Sequence, residues 1–564
     1  MEKVVQVKTC KHCQSLFNIT DKDLEFYEKI SPSFWWKKYS VPTPTLCPDC
    51  RNQRRLSWRN EQNLYRRKCS YTKKDIISMY SPDKDLIVYD KDYWNSDKWD
   101  VMDYWLDIDF WKSFFEQFIY LLYNTPIPSL TITYDSENSD YQVYSWKMKN
   151  CYMISASWDC ENTMYSTRLI KTVNVFDSID STWLERCYQI INSENCYACL
   201  YVINSSNSQN CLFSYDLTNC SNCILCNNLV WKSYCIENIQ YSKDEYETKS
   251  KKLKIELLWK WWNPLNKILK WSINRDLMMI WCEDSVWDNL KNCKNCINCF
   301  HFEESENCKY SENGWMWCYN SYDWRWVWEN LYFGYEILDT WINATTNCFS
   351  ISCYTNDNIY YCINCHNSSN LFGCLWLKNK SYCIFNKQYT KEQYEELVPK
   401  IIENMIHTWD WWEFFPSKLS PFWYNETAAM EYLLLNQKDA INQWFNWLIY
   451  QQPLPKVQKT INANKLPNNI DDIPDDILNR AIECEISKKP FKIVRQELDF
   501  YKKNNIPIPK RHPSIRHIDR IDLSNPKKIF DRKCDKCWIN IKTTYSPDRE
   551  EKVYCEKCYN NEVY

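Results

Sequence analysis

Glycine and histidine are both scarce in this sequence. Only 3 of 564 residues are glycine, whereas 31 are tryptophan; ordinary glycine usage is about 7%. Glycine fills backbone positions with positive φ at no steric cost, so a large folded chain is not expected to do without it. With only 6 histidines, any metal site must be built mainly from thiolates, which favours zinc or an iron–sulfur cluster.

Long apolar segments are also missing. No apolar run reaches the roughly 18 residues needed to cross a membrane, and the first residues lack the apolar core of a signal peptide. We therefore expect a cytoplasmic protein with no membrane partner.

The remaining composition is that of a folded protein. Hydrophobic residues make up 45% and charged residues 25%, and the net charge is −3. The length suggests about three to five domains. The 32 cysteines argue for metal binding or burial as small apolar residues, because a reducing compartment disfavours disulfides.

Several tryptophans stand where glycine is expected. Trp538 follows the second cysteine of a Cys-x-x-Cys turn, Trp35 and Trp36 precede two lysines, and Trp423 lies in a Ser-Pro-rich loop. We hypothesise that UGA codons read as glycine in the native host were translated as tryptophan; the alternative is a truly tryptophan-rich protein. Trp231 and Trp376 lie close to predicted turns. Lys73 matches Trp538 in a copy without its metal ligands, so no left-handed backbone is required there.

The two ends of the chain are copies of one module. Segments 41–94 and 506–559 align without a gap, so that Arg51 and Arg55 fall on Arg516 and Arg520. Upstream, after one length difference, a set of cysteine and apolar residues also matches. Its N-terminal members are Cys10, Phe17, Ile19, Leu24, Phe26 and Tyr27, and their counterparts are Cys484, Phe491, Ile493, Leu498, Phe500 and Tyr501.

Each copy keeps one complete set of four cysteines and has lost the other. The complete sets are Cys10, Cys13, Cys47 and Cys50 at the N-terminus, and Cys534, Cys537, Cys555 and Cys558 at the C-terminus. The C-terminal spacing is that of a zinc ribbon, and four protein ligands make a structural site. The lost sets read Cys69, Thr72, Asp90 and Tyr93, and Cys484, Ser487, His512 and Ile515. We predict two structural Zn²⁺ ions.

Residues 141–390 hold 22 cysteines, many of them nine residues apart. Lys-Ser-Tyr-Cys-Ile occurs at both 232–236 and 380–384. A fixed short period with Asn-Cys pairs predicts a parallel β-solenoid with inward Cys and Asn ladders. The overlapping Cys-x-x-Cys spacings leave further zinc or a cluster open, although simple stacking is favoured.

The predicted fold class is multidomain α+β, with zinc-ribbon modules at both ends, central β-solenoid-like repeats and helical connectors. The predicted segments are an N-terminal module (1–94), a helical connector (95–140), repeat region 1 (141–245), a second connector (246–290), repeat region 2 (291–390), a helical linker (391–480) and a C-terminal module (481–564). Phe110, Phe114, Phe118 and Leu122 form one apolar helical face in the first connector.

A basic stretch follows the first cysteine set, and a similar one lies in the C-terminal copy. The N-terminal stretch comprises Arg51, Arg54, Arg55, Arg59, Arg66, Arg67 and Lys68. With Trp58 and Tyr65 between them, these residues predict binding of RNA, a ribonucleoprotein or DNA. The alternative is a solvated or internally paired face, in a protein-interaction scaffold that uses the solenoid face.

No catalytic motif is evident: the sequence lacks Gly-x-x-x-x-Gly-Lys, His-Glu-x-x-His and Gly-x-Ser-x-Gly. We therefore expect a non-enzymatic protein without a small-molecule substrate. A thiol redox or iron–sulfur protein that uses the central cysteines is a third possibility.

Three segments resemble a known family. They are Thr-Leu-Cys-Pro-Asp-Cys-Arg at 45–51, Ile-Ile-Ser-Met-Tyr-Ser-Pro-Asp at 76–83, and Val-Tyr-Cys-Glu-Lys-Cys-Tyr at 553–559. The chain resembles, over nearly its whole length, cysteine-rich zinc-ribbon proteins of uncultured bacteria with reduced genomes, some of which read UGA as glycine. The resemblance implies zinc binding by the two complete cysteine sets and implies no activity. It also implies glycine at position 538.

Overall fold

A computed structural model describes residues 2–34, 36–131, 135–259, 262–315, 318–328, 334–341, 345–450 and 459–564. The chain divides into two units, each made of two separate segments. Unit 1 combines Met1–Ser129 with Leu277–Tyr450, and unit 2 combines Leu130–Asp276 with Gln451–Tyr564. Each unit therefore contains one terminal module and the repeat region that is more distant from it in sequence.

Helices lie in the terminal modules and in the segments before, between and after the repeat regions. They are α1 (Asp21–Ile30), α2 (Pro48–Leu56), α3 (Lys91–Trp94), α4 (Phe114–Asn124), α5 (Lys243–Trp259), α6 (Trp262–Trp271), α7 (Lys391–His407), α8 (Ala428–Tyr432), α9 (Gln437–Asn442), α10 (Arg495–Asn504), α11 (Pro513–Asp522) and α12 (Glu556–Val563). Short 3-10 helices span Val101–Asp103, Ser417–Leu419, Tyr424–Glu426, Ala463–Lys465, Ile470–Asp472 and Asp475–Asn479.

Polar residues define where these helices begin. The side-chain oxygens of Thr20, Ser113 and Thr390 each accept a hydrogen bond from the backbone N–H of the third helical residue. The side chain of that third residue in turn accepts from the backbone N–H of the cap residue, which completes a capping box. The helix predicted in the first connector is confirmed as α4, although Phe110 lies before its start and is exposed. Within the described residues, the structure contains no helix long and apolar enough to span a membrane.

The N-terminal segment has four strand pairs. Its strands are β1 (Val4–Thr9), β2 (Leu16–Thr20), β3 (Ser33–Phe34), β4 (Lys37–Lys38), β5 (Tyr65–Lys68), β6 (Asp75–Ser78), β7 (Val88–Tyr89) and β8 (Ile127–Pro128). The first three pairs are antiparallel hairpins, and β7 pairs with β8 in parallel.

Repeat region 1 forms one sheet of thirteen strands among the described residues. They are β9 (Tyr141–Val143), β10 (Trp146–Lys149), β11 (Tyr152–Ser155), β12 (Trp158–Glu161), β13 (Thr167–Val173), β14 (Ile179–Thr182), β15 (Tyr188–Ile191), β16 (Leu200–Ile203), β17 (Leu212–Thr218), β18 (Ser221–Ile224), β19 (Asn227–Val230), β20 (Ser233–Ile236) and β21 (Ile239–Gln240). β22 (Ile273–Arg275) follows helix α6.

Repeat region 2 has two parallel sheets, and its strands start ahead of the predicted boundary. The first sheet contains β23 (Met279–Ile280), β24 (Leu290–Lys291), β25 (Ile297–Glu303), β26 (Lys309–Trp315), β27 (Trp324–Trp328) and β28 (Ile337–Trp341). The second contains β29 (Thr345–Cys348), β30 (Asp357–Tyr360), β31 (Ser369–Phe372) and β32 (Ser381–Ile384), with β33 (Lys387–Gln388) antiparallel at its end.

The C-terminal segment repeats part of the pairing of the N-terminal one. Its strands are β34 (Lys459–Asn462), β35 (Arg480–Glu483), β36 (Pro490–Phe491), β37 (Phe530–Lys533), β38 (Asn540–Thr543) and β39 (Lys552–Tyr554). The hairpin β37–β38 corresponds to β5–β6. The parallel pair β22–β39 corresponds to β7–β8.

The predicted nine-residue period is wrong as a pairing period. Most successive parallel strands pair residues 12 positions apart, as in Leu200 with Leu212 and Ser221 with Ser233. In the first sheet of repeat region 2, some pairings are 11 or 13 positions apart. In repeat region 1 the backbone adopts positive φ at every third residue over long stretches, for example at Asn192, Asn195 and Ala198. Every third side chain therefore points into the core, and two inward cysteines nine apart are three such steps from each other.

Candidate metal centres

The N-terminal cysteine set is assembled from a hairpin and a helix. Cys10 and Cys13 lie between β1 and β2, and Cys47 and Cys50 lie at the start of α2. The four Sγ atoms all lie within 4.8 Å of one another. The Sγ atoms of Cys13 and Cys47 are 3.6 Å apart. This set could hold a metal ion.

The C-terminal cysteine set is built in the same way. Cys534 and Cys537 lie between β37 and β38, and Cys555 and Cys558 lie at the start of α12. Their Sγ atoms are also within 4.8 Å of one another, and those of Cys537 and Cys555 are 3.7 Å apart. Four sulfurs around zinc at about 2.3 Å would be separated by roughly 3.8 Å, so both sets fit a tetrahedral ion.

Backbone N–H groups donate hydrogen bonds to the first cysteine of each set. The N–H of Cys47 donates to Cys10 Sγ at 3.3 Å. Those of Cys537 and Cys555 donate to Cys534 Sγ at 3.5 and 3.2 Å. Burial raises the pKa of Cys534, but these N–H donors outweigh it and lower that pKa to about 6. Thiolate is the form that binds metal.

The two degenerate sets keep the backbone turn of a metal site. Cys69 Sγ accepts from the N–H groups of Thr72 and Asp90, and Cys484 Sγ accepts from the N–H of Ser487. The residue after the second ligand position has positive φ in all four turns: Gln14 (62°), Lys73 (62°), Lys488 (58°) and Trp538 (64°). The expectation that Lys73 has lost this constraint is wrong, because the turn is held by hydrogen bonds to the first cysteine.

In the two degenerate sets, the residue at the position of the third cysteine is a helix N-cap. Asp90 accepts hydrogen bonds from the N–H groups of Asp92 and Tyr93 at the start of α3. His512 Nδ1 accepts from the N–H of Ser514 at the start of α11. Cys47 and Cys555 occupy the same position before α2 and α12 without any side-chain cap. A polar cap thus stands in for the metal ligand as the group that begins the helix.

The basic residues predicted to bind nucleic acid are largely buried. Arg51 and Arg55 are each 1% exposed. Arg51 forms two hydrogen bonds of 2.9 Å with the carboxylate of Asp323, which Arg55 also contacts at 3.1 Å. Arg54 pairs with Glu336 and Glu413 at 2.6 and 2.8 Å. The structure gives these three guanidinium groups internal carboxylate partners, so they are not available to phosphate.

The other four residues of the basic stretch have mixed environments. Arg59 is buried and pairs with Glu61 at 2.5 Å. Arg67 donates to the carbonyl groups of Ser81 and Leu86. Lys68 pairs with Asp75 at the surface, and Arg66 is exposed. Only Arg66 and Lys68 keep the exposure that the nucleic-acid prediction requires.

The C-terminal module uses the matching arginines in the same way. Arg516 and Arg520 both bind the buried carboxylate of Asp177 in repeat region 1, the second at 2.8 Å. Arg516 also stacks over the Tyr165 ring, as Arg51 stacks over the Tyr310 ring, at 4.7 and 5.2 Å. We call each group of two arginines and one aspartate an Arg–Asp clamp.

Aromatic contacts beside the two clamps are equivalent as well. Phe26 stacks on Tyr322 with ring centroids 3.8 Å apart, and its counterpart Phe500 stacks on Phe176 at 3.9 Å. Tyr27 meets Tyr335 edge to face at 5.5 Å, and Tyr501 meets Tyr188 at 5.8 Å. Each module therefore docks on a repeat region through the same contacts.

Sequence reasoning missed this docking surface, although one signal was present. Of the first four arginines in the stretch, only Arg51 and Arg55 align with arginines in the other copy. Arg54 and Arg59 align with Asp519 and Ser524. Within helix α2, the arginines shared by the two copies are therefore one helical turn apart, which is the spacing expected of a helix face that contacts one carboxylate.

The central cysteines act as small buried hydrogen-bond donors. Cys199 Sγ donates to the carbonyl of Tyr197 at 3.4 Å, and Cys187 donates to that of Glu185 at 3.3 Å. Serines at other inward positions make the same bond, as Ser193 Oγ does to Ile191 at 2.9 Å. Among the described residues, the two terminal sets are the groups of three or more potential ligands close enough to hold an ion.

Comparison with known proteins gives little further information. No protein-family model matches the chain. No curated protein matches it. One solved structure found by the search is assigned as an acetyltransferase from Desulfovibrio desulfuricans G20. It is 9% identical, with coverage of 46% of this chain and 68% of that chain and a TM-score of 0.09. A likeness this slight carries no argument about fold or function.

Proposed function

We propose that this chain is a non-catalytic scaffold stabilised by two zinc ions, one in each complete cysteine set. The observation that supports this proposal is that each set brings four Sγ atoms within 4.8 Å of one another. Four thiolates favour zinc or iron, and they leave no coordination position open for water or substrate. All 32 cysteines lie in the described residues and none of them forms a disulfide, which fits a reducing cytoplasm.

Elemental analysis of the purified full-length protein tests the metal assignment. We expect about two zinc ions per chain, since each set supplies one tetrahedral site. Cys50→Ser and Cys558→Ser should each reduce this to about one, and the double variant to about none. Zinc-free protein that remains folded would contradict the proposal. A visible absorption band that depends on iron would favour a cluster instead.

We further propose that both repeat regions are β-solenoids with twelve-residue coils. Support comes from parallel pairing at a spacing of 12 residues in both regions, apart from steps of 11 and 13 in the first sheet of region 2. Positive φ at every third residue over long stretches also supports it. Deletion of one coil, 195–206, should leave a folded protein because the remaining strands keep their register. Deletion of nine residues, 195–203, should disrupt folding because every later side chain changes its place in the coil. Equal tolerance of both deletions would contradict a twelve-residue coil.

The partner that we propose is another protein, bound by exposed faces of the repeat regions. The internal pairing of Arg51, Arg54 and Arg55 favours this ligand over RNA or DNA. Filter binding to RNA and DNA at several salt concentrations tests the choice. Phosphate binding would show affinity that falls steeply with salt. Such binding, abolished by Arg66→Ala with Lys68→Ala, would restore the nucleic-acid function.

A further inference from the structure

The two helices that carry the Arg–Asp clamps begin in different ways. Helix α2 follows Cys47 and has Cys50 in its first turn, with no side-chain cap on its free N–H groups. Helix α11 follows His512, whose Nδ1 accepts from the N–H of Ser514 at 3.1 Å. The clamps are equivalent, but only one helix starts inside a candidate metal centre.

The metal ligands of α2 lie in the same helical turn as the clamp. Cys50 directly precedes Arg51, and the N–H of Arg51 donates to the carbonyl of Cys47 at 3.0 Å. Arg51 Nη1 also donates to the carbonyl of Leu46 at 2.8 Å. Any loosening of this turn would therefore move the guanidinium that reaches Asp323, which is itself fully buried.

Without metal, few direct bonds would hold the β1–β2 hairpin to this turn. The described backbone hydrogen bonds are from the N–H of Cys47 to Cys10 Sγ, at 3.3 Å, and from the N–H of Lys11 to the carbonyl of Thr45, at 3.1 Å. Lys8 Nζ adds two hydrogen bonds to Thr43, and Cys13 Sγ lies 3.6 Å from Cys47 Sγ. A helix whose first N–H groups have no cap frays at that end. The same turn of α11 has its own cap and needs no ion.

We infer that metal binding at Cys10, Cys13, Cys47 and Cys50 controls the docking of the N-terminal module on repeat region 2. The C-terminal module docks on repeat region 1 without this control. The inference rests on the proposed zinc binding. Loss of the ion would release the first turn of α2, unpair Asp323 and uncover the stacked rings of Phe26 and Tyr322. The chain would then present a docking surface that depends on the availability of metal.

Hydrogen exchange of the full-length protein, followed by mass spectrometry, tests this inference. After chelation, amides of α2 and of the segment around Asp323 should exchange about tenfold faster or more, because local opening becomes easier. Amides of α11 and of the segment around Asp177 should be unchanged. Cys50→Ser should reproduce the effect in the absence of chelator. The matched control Cys558→Ser, which removes the other ion, should leave α2 protected.

A second pair of variants isolates the start of the helix. Cys50→Ser and the double variant Cys47→Asp with Cys50→Ser both remove the metal, but the second supplies an aspartate cap like Asp90. We expect the double variant to regain most of the protection in α2. Equal exchange in the two variants would overturn this mechanism. Slow exchange of the α2 amides in metal-free Cys50→Ser would overturn metal control of docking. The absence of metal from purified wild-type protein, found by elemental analysis, would instead refute the proposed zinc binding.

Discussion

The two terminal modules differ in their metal sets but not in the way they dock. The N-terminal module keeps its first cysteine set and the C-terminal module its second. Both modules nevertheless place two arginines on one buried aspartate, Asp323 in unit 1 and Asp177 in unit 2. The comparison shows that the same docking contacts occur with either cysteine set.

The degenerate sets also show which parts of a metal site can be replaced. The turn around the first cysteine persists at Cys69 and Cys484, held by backbone N–H groups. The start of the following helix passes to a polar cap, Asp90 or His512. In the degenerate sets, hydrogen bonds therefore hold the turn and begin the helix at positions where the complete sets have cysteines.

The largest effect that we predict comes from breaking one Arg–Asp clamp. Asp323→Ala leaves Arg51 and Arg55 buried without their carboxylate, which should destabilise unit 1 by about 3–5 kcal/mol. Asp177→Ala should destabilise unit 2 by a similar amount, because Arg516 and Arg520 are equally buried. Urea unfolding of the full-length protein, followed by fluorescence, measures both changes.

Asp159→Ala is the matched control for this prediction. Asp323 and Asp177 have positive φ, at 56° and 51°. Asp159 has a similar φ of 54°, but its side chain is exposed. Its replacement measures the cost of a left-handed alanine alone. A loss at Asp323 or Asp177 no larger than that at Asp159 would show that the clamps contribute nothing to stability.

Part of this arrangement could be predicted from the sequence. The duplication, both cysteine sets and helix α4 follow from spacing and apolar periodicity, which are local signals. The partner of the basic stretch could not be predicted, since Asp323 and Asp177 lie more than 250 residues away from the arginines that bind them. The nine-residue spacing of cysteines also differs from the usual pairing distance of 12, because cysteines at inward positions three apart do not reveal which residues pair between strands.

The next prediction concerns the tryptophans. Eight have positive φ among the described residues; they are Trp183, Trp231, Trp281, Trp376, Trp409, Trp412, Trp444 and Trp538. Trp423 has φ of −88° and does not support the recoding hypothesis, and Trp35 lies outside the described residues. Gln14, Lys73 and Lys488 share the turn of Trp538, so that turn alone does not require glycine.

Helix ends give stronger support for glycine. After α7, the N–H of Asp410 donates to the carbonyl of Met405 at 2.9 Å, across Trp409 with φ of 64°. After α9, the N–H of Phe445 donates to that of Ala440 at 2.9 Å, across Trp444 with φ of 64°. This bonding pattern is that of a helix end in which glycine is the usual left-handed residue.

We predict that Trp409→Gly and Trp444→Gly each stabilise unit 1 by about 1–2 kcal/mol, the cost of left-handed backbone for other residues. Trp423→Gly, the matched control, should destabilise it, since Trp423 Nε1 donates to Asp83 and its ring lies under Lys84. Thermal unfolding compares the three variants. Peptide mass spectrometry of protein from the native host should show glycine at 409, 444 and 538, and tryptophan there would refute recoding.

A smaller effect should follow removal of the polar cap that replaced a metal ligand. Asp90→Ala deletes the acceptor for the N–H groups of Asp92 and Tyr93 and should destabilise unit 1 by about 1 kcal/mol. Asp90→Asn keeps an acceptor oxygen and should lose less. Equal losses for the two variants, measured by urea unfolding, would show that Asp90 acts by its charge rather than as a hydrogen-bonding cap.

The smallest effect should come from a cysteine inside a repeat region. Cys199 is buried and donates to the carbonyl of Tyr197 at 3.4 Å, a bond that Ser193 and Ser205 make at their own inward positions. Cys199→Ser keeps that donor and should change the unfolding free energy by about 1 kcal/mol or less. Cys199→Leu overfills the same space and should cost about 1–3 kcal/mol. The metal content should stay at the wild-type value in both variants, because Cys199 acts there as a thiol and not as a ligand. A lower zinc or iron content in folded Cys199→Ser would show that the central cysteines bind metal, and the distinction between terminal and central cysteines would then fail.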